Sequence, residues 1–512
     1  MRAPMRHPIL HLTWAGTIAS TLSSATGCNP TQAQEQPPGS LPNIVVVSID
    51  GMRLDRAHFA GGPHPCTPNL DAFVAEGVWF ENSFSQSNES LLSHAALFTG
   101  RYPLEVSVPN YLRYVMGPEQ LTFPEVLQQV GYDTGAFLAQ GHVGHEYGFN
   151  QGFDLFYEGE RWGSFQETVP VALSWLEQRK EQGQENPFMV FLHGYDLHRP
   201  YWESGPFHHP FQADYQGSVD ELLEAFNLTE KIINGVYYPD VQLERIWHST
   251  GSRILDPRQY TPELVKGQTR AEHLSPEALD HIKAHYDSGV LVADTFVGFF
   301  FEGIDHLGLW EDTVIIVLSD HGEDLQDHGF TNHRAVVQDT TTRVPMLVGG
   351  GAIPDAWRGT IRTELVDAVD LVPTITDIAR TVPPAGVQGR SIWTLLQTDG
   401  TQDAKDISFH TGVLGQVSAR TRSHRFVFQG TALNDPFYAD KLRDTPIDSP
   451  DFALYRPADD PLELKDIKEW EPQVAEKLRA RMLEWYTGQD RGETSQRLTE
   501  AQKQALRDGG YW

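Results

Sequence analysis

Three apolar runs in this 512-residue chain end in side chains that can do chemistry. Asn43–Ile49 runs into Asp50 and Gly51, and Thr313–Leu318 into Ser319, Asp320, His321, Gly322 and Glu323. Phe188–Leu192 runs into His193, Asp196 and His198. Carboxylates and imidazoles converging from separate segments could hold one or two divalent cations. A cation held there would polarise an ester oxygen and stabilise a nearby alkoxide. A nucleophile is available in the stretch Asn88, Glu89, Ser90, Leu91, Leu92, Ser93, His94, which reads as a loop feeding a short helix that ends at Gly100. A serine at a helix N-terminus sits where backbone N–H groups favour an anion such as a transferring phosphate or sulfate. The same serines, Ser90 and Ser93, also suit plain N-caps.

The elements that must position these groups alternate in type. Asn43–Ile49 is β-branched and reads as a buried strand, and 132–138, 188–193 and 313–318 read as further strands. Residues 68–77 read as a helix closing on Gly77, and other helical stretches separate the strands. Such alternation predicts an α/β fold, a large mixed, mostly parallel sheet sandwiched by helices. In such sheets, sites gather at the carboxyl ends of the strands, which is where the acids and imidazoles lie. Asp287 and Asp294 fall within the helical stretch 286–300 and read as structural, while Glu323, Asp324 and Asp327 read as a solvated acidic loop. Beyond about residue 405 the pattern changes to a strand pair over 416–428, a strand and turn from Phe452, and a helix over 474–486 carrying Leu478, Met482 and Trp485 on one face.

Composition narrows the partners. Lys and Arg total 39 against 69 Asp and Glu, a formal net charge of −30, so no basic face for nucleic acid or anionic lipid is expected. Two cysteines, Cys28 and Cys66, exclude a disulfide scaffold and a Cys-built zinc site. Arg2 and Arg6 precede the apolar, acid-free stretch 9–22, and a small-residue run leads to Cys28, a pattern that resembles a bacterial lipoprotein signal. The expectation is a signal peptide over 1–27, lipidation of Cys28, a tether over 28–41, and a periplasmic or cell-envelope location with membrane contact only through that anchor. Residues 202–274, with His208, His209 and Trp247, read as a variable insertion lining the pocket mouth.

From these motifs the chain is identified as resembling the sulfatase family of the alkaline phosphatase superfamily. The matching stretches are 43–53, 67–103, 131–156, 188–201 and 286–345. The most specific are Ser319, Asp320, His321, Gly322, Glu323 followed by His328, His333 and Arg343-Val344-Pro345, and the run Ser93–Pro103. The resemblance implies an alkaline phosphatase-like fold, with a catalytic domain over 42–404 and a small C-terminal antiparallel sheet plus helix over 405–512. It makes Asp50, Asp320 and His321 ligands of a divalent cation (Ca, Mg or Mn), Ser90 the nucleophile, and His198 and His333 the groups that contact the ester or protonate its leaving oxygen. Asp196, His94, His328 and Arg334 would supply a second cation or touch substrate. Gly51 stands where a second Asp ligand is common in the family. The family's Lys-x-x-His element falls in the region of Gln140 and His142. The turn Asp460-Pro461-Leu462-Glu463 matches a family turn expected to frame the substrate entrance. Conversion of the family nucleophile to formylglycine needs Pro or Ala two positions on and Arg four on; here these are Leu92 and His94. The resemblance itself implies cleavage of a sulfate ester of a small molecule or glycan, while these two positions favour a phosphate ester. An unmodified Ser90 suits phosphodiester or phosphonate hydrolysis, or phosphoryl transfer. A relative that binds without turnover is the reading from another class.

Overall fold

The computed structural model describes residues 41–106, 116–198, 211, 276–328, 333–400, 404–430 and 438–489. The signal, Cys28, nearly all of the tether, and the 202–274 insertion apart from residue 211 lie outside them.

Eight strands form the main sheet in the order β4-β3-β5-β1-β6-β7-β2-β8. These are β1 Asn43–Ile49, β2 Val78–Phe84, β3 Asp133–Gln140, β4 Leu155–Arg161, β5 Phe188–Gly194, β6 Thr313–Leu318, β7 Met346–Gly349 and β8 Thr360–Asp367. Every pairing is parallel except those of β7, which runs against both β6 and β2. The expected mixed, mostly parallel sheet is what is found. Burial on both faces explains the unbroken β-branched runs. In β1, Ile44 and Val46 point into one apolar layer, while Val45, Val47 and Ile49 point into the other. The first layer is closed by helix Ser90–Thr99 and helix Leu371–Ile378, the second by helices Phe165–Glu181 and Pro276–His306. The last of these spans 31 residues, about twice the stretch expected from sequence, and buries Tyr286, Val290, Ala293, Val297, Phe300 and Ile304 at three- and four-residue spacing. Among the described residues no helix is long and apolar enough to cross a membrane.

Asp287 and Asp294 on that helix are structural, as expected. Asp294 accepts hydrogen bonds from the backbone N–H groups of Asn69 and Leu70, at 3.0 and 2.8 Å, and so caps helix Pro68–Ala75. Asp287 pairs with Arg56 and His64.

A second, antiparallel sheet has the order β12-β11-β10-β9, with β9 Ser408–Thr411, β10 Gln416–Arg420, β11 Arg425–Gln429 and β12 Phe452–Tyr455. Helix Pro472–Gly488 packs on it through Ala475, Leu478, Met482 and Tyr486. Arg425, fully buried, ties it to the short helix Asp339–Thr342 that precedes β7: Nη2 donates to Asp339 at 2.5 Å, while Nε donates to Glu463 at 3.0 Å. Glu463 therefore does not frame a substrate entrance. Its carboxylate is buried as the counter-charge of Arg425, where it also accepts the N–H of Asp339.

Candidate active site

Parallel pairing brings the carboxyl ends of β5, β1 and β6 side by side, with Ser48 opposite His193 on one flank and Leu318 on the other. The residues just beyond each strand therefore meet. Ligand atoms of Asp50, Asp320 and His321 all lie within 4.8 Å of one another, and all three residues are fully buried. Among the described residues this is the only such group of three.

The chemistry of these donors fits a hard divalent cation. Asp50 Oδ1 and Asp320 Oδ2 are buried and accept no hydrogen bond, an arrangement that costs several kcal/mol unless a cation compensates it. Burial, then the charge of Asp320, pushes the Asp50 carboxyl well above the usual carboxylate range. Burial works against Asp320 too, but His321, His94 and His193 hold its carboxyl below that range. The tautomer of His321 is set by its neighbour. Nδ1 donates to the Gly322 carbonyl at 2.9 Å, which leaves the Nε2 lone pair facing the group.

Ser90 joins the group from the opposite layer. It opens helix Ser90–Thr99, all ten residues of which are buried, and its Oγ donates to Asp50 Oδ2 at 3.1 Å and lies 3.0 Å from His321 Nε2. The helix begins on Glu89, whose carboxylate accepts the Leu91 N–H at 3.0 Å, and ends on Gly100 at φ 68°. A Cβ at Gly100 would stand 2.9 Å from Val372 Cβ, so glycine sets both the stop and the close packing.

The remaining residues singled out in the sequence fall into two sets. His333 lies with its ring 4.0 Å from that of His321, and its Nδ1 is 2.9 Å from Glu323 Oε1. The ring of His198 is 6.2 Å from that of His333. Arg334 reaches 3.7 Å from Glu89 Oε1. They extend from the ligand group and from Glu89, the residue before Ser90. His94 lies beneath the site rather than facing it, and Asp196 and His328 are engaged elsewhere. His94 Nδ1 donates to the Ser90 carbonyl at 2.8 Å while Nε2 accepts from Ser48, so it is a strut beneath the nucleophile, and burial lowers its pKa. Asp196 accepts the Phe165 N–H at the start of helix Phe165–Glu181, and burial raises its carboxyl to about 7. His328 pairs with Asp324 and donates to the Leu462 carbonyl at 2.7 Å, pinning the loop to the small subdomain.

The acidic loop is not solvated. Glu323 and Asp324 are fully buried against His333 and His328, and Asp327 pairs with Arg53 and Lys283, so each carboxylate has a hydrogen-bonding or charged partner that sequence spacing does not reveal. The backbone accounts for Gly51. A Cβ there would meet Glu323 Cγ at 3.6 Å and His321 Cε1 at 4.0 Å, ordinary contact distances, but its φ of 72° is backbone that a side chain such as Asp adopts only with strain. Cys66 is buried beneath the Arg56 carbonyl with its thiol pushed well up, principally by burial, and takes no part in the site.

Two groups at the site carried no signal strong enough to find them in sequence. Glu89, fully buried, meets His142 Nδ1 at 3.0 Å, and His142 with Arg334 outweighs burial to keep its carboxyl low. An acid beside a serine reads simply as a cap. Trp162 stacks on His198 with ring centroids 4.7 Å apart and meets His142 edge-on at 5.7 Å. Nothing in its local sequence marks its position.

Comparison with known proteins shows the family and the fold. The Sulfatase family model matches residues 42–381. An N-acetylglucosamine-6-O-sulfatase of Bacteroides thetaiotaomicron is 25% identical over 75% of this chain and 75% of its own. An arylsulfatase of Clostridium perfringens is 23% identical over 70% and 78%. A solved structure in complex with its substrate, D-glucosamine-2-N,6-O-disulfate, superposes with TM-score 0.63 at 20% identity, covering 92% of this chain and 99% of the other. The phosphonate monoester hydrolase of Agrobacterium radiobacter gives TM-score 0.59 at 18% identity, covering 87% and 95%.

Proposed function

The chain belongs to the sulfatase family, and from that premise we propose that it is a metal-dependent hydrolase that cleaves a sulfate ester with Ser90 at the nucleophile position. One observation carries the reading: the Ser90 Oγ lies 3.1 Å from Asp50 and 3.0 Å from His321, inside the group suited to a cation and at the N-terminus of a buried helix. Asp50, Asp320 and His321 would hold a divalent cation (Ca, Mg or Mn), which when bound neutralises the buried carboxylates and polarises the ester. The side chains do the rest. Asp50 accepts the Ser90 hydroxyl proton in its hydrogen bond and orients the oxygen toward the ester. His198 or His333 gives a proton to the departing oxygen, and Glu323 orients the ring of His333. Water then attacks the sulfur of the Ser90 ester, breaks its bond to the Ser90 oxygen and releases the sulfate. The sulfated sugars handled by the relatives make a glycan ester the first substrate class to try, and a small-molecule ester the second.

A second reading, phosphodiester or phosphonate hydrolysis by an unmodified Ser90, is favoured by Leu92 and His94 at the positions where formylglycine conversion needs Pro or Ala and Arg. A paired assay decides between them: turnover of an aryl sulfate in excess over an aryl phosphodiester is expected, and turnover of the phosphodiester alone would overturn the sulfate reading in favour of the second. The same proposal puts the enzyme in the cell envelope, tethered through Cys28.

A further inference from the structure

Trp162 is a bulky residue in a backbone conformation that suits glycine or asparagine. Its φ is 60°, in the left-handed region that large L side chains rarely keep. The position is held from both sides. The Trp162 N–H donates to the Gln140 carbonyl at 2.8 Å, and the next carbonyl, that of Gly163, accepts the Tyr195 N–H at 3.0 Å. Tyr195 in turn offers its hydroxyl to the His142 N–H at 2.9 Å. The carboxyl ends of β3, β4 and β5, neighbours in the sheet, are thus laced together around this residue.

A turn needing only that backbone would be better served by a smaller residue, so the side chain has a use that outweighs the strain. The indole lies parallel to the His198 ring, 4.7 Å away and inclined by 18°. It meets His142 edge-on at 5.7 Å and Tyr195 edge-on at 4.8 Å. Both imidazoles belong to the surroundings of Ser90. His142 touches Glu89, the residue before it, and His198 faces His333.

We propose that Trp162 is a positioning residue of the ester-cleaving site, whose strained backbone presents the indole that fixes the rings of His198 and His142 against the Ser90 pocket. This rests on the functional reading above. An imidazole displaced by about an ångström from its productive place costs on the order of a hundredfold in rate. The loss should fall most heavily on substrates whose leaving oxygen needs a proton.

The test compares wild type with Trp162→Asn, which keeps the left-handed backbone without strain, and Trp162→Phe, which keeps an aromatic face. Each is assayed for thermal unfolding and for kcat and KM on a nitrophenyl sulfate and a sugar sulfate. The Asn variant should unfold no lower than wild type and lose about a hundredfold in kcat on the sugar ester, with a smaller loss on the nitrophenyl ester and little change in KM. The Phe variant should recover most of it. Unchanged kcat in the Asn variant, or an equal loss on both esters that Phe does not rescue, would overturn the inference while leaving the functional reading intact. A wild type that turns over neither ester would overturn both together.

Discussion

Replacing Asp50 by Asn separates the two roles of its carboxylate, a burden without a cation and a ligand with one. In the cation-free protein Asp50 and Asp320 are fully buried with ligand atoms within 4.8 Å, and one oxygen of each accepts no hydrogen bond. Two unit charges at that separation repel by about 3 kcal/mol at an effective dielectric near 20. Protonation of Asp50, whose pKa burial raises, already relieves part of this. The Asn variant should therefore be more stable than wild type by about 1–2 kcal/mol in chelator. With cation the order should invert. Loss of a ligand lowers affinity by at least about a hundredfold, or roughly 2.7 kcal/mol of the stabilisation that a bound cation gives the folded state. Urea unfolding of both proteins, in chelator and in saturating calcium, magnesium or manganese, measures the four stabilities. A wild type indifferent to every cation, or a variant destabilised equally in both conditions, would refute the reasoning.

Two further outcomes are expected from the structure. The folded-state pKa of Asp196, about 7, lies above its ordinary value of 3.8, so the folded chain holds that proton more tightly than the unfolded one. The stability tied to it is present below about pH 4 and is lost as pH rises through about 7, up to about 4 kcal/mol in all; Asp196→Asn, which keeps an acceptor for the Phe165 N–H, should flatten that slope in denaturant titrations, and an unchanged slope would contradict it. If Cys28 carries a lipid, the full chain should partition into detergent, and Cys28→Ser should move it to the aqueous phase; equal partitioning of the two would remove the anchor.

Much of the fold was legible because its central strands obey simple rules. The β-branched runs at 43–49 and 313–318 are strands within the same bounds, since burial on both faces leaves Ile44–Val47 and Val314–Leu318 unbroken by polar residues. The ligand group was legible for the same reason: parallel strands deliver the residues beyond their carboxyl ends to one edge of the sheet. Less visible were β2, with Glu81 and Asn82 in its run, and β7, only four residues long, whose reversal depends on neighbours far apart in the chain. Roles set by tertiary partners were hidden too. His94 and His328 look like ligands in sequence, yet Ser90 and Ser48, or Asp324 and Leu462, claim their nitrogens. Gly51 reads as a lost ligand, whereas its backbone at φ 72° is one that suits glycine.

The central claim, that Ser90 cleaves a sulfate ester within the Asp50, Asp320 and His321 group, is tested most directly by sulfate release from an aryl sulfate by cation-loaded wild type and Ser90→Ala. Wild type should release sulfate, and the variant, folded and with cation bound, should be slower by at least about a thousandfold. Equal rates from the two proteins would contradict the account.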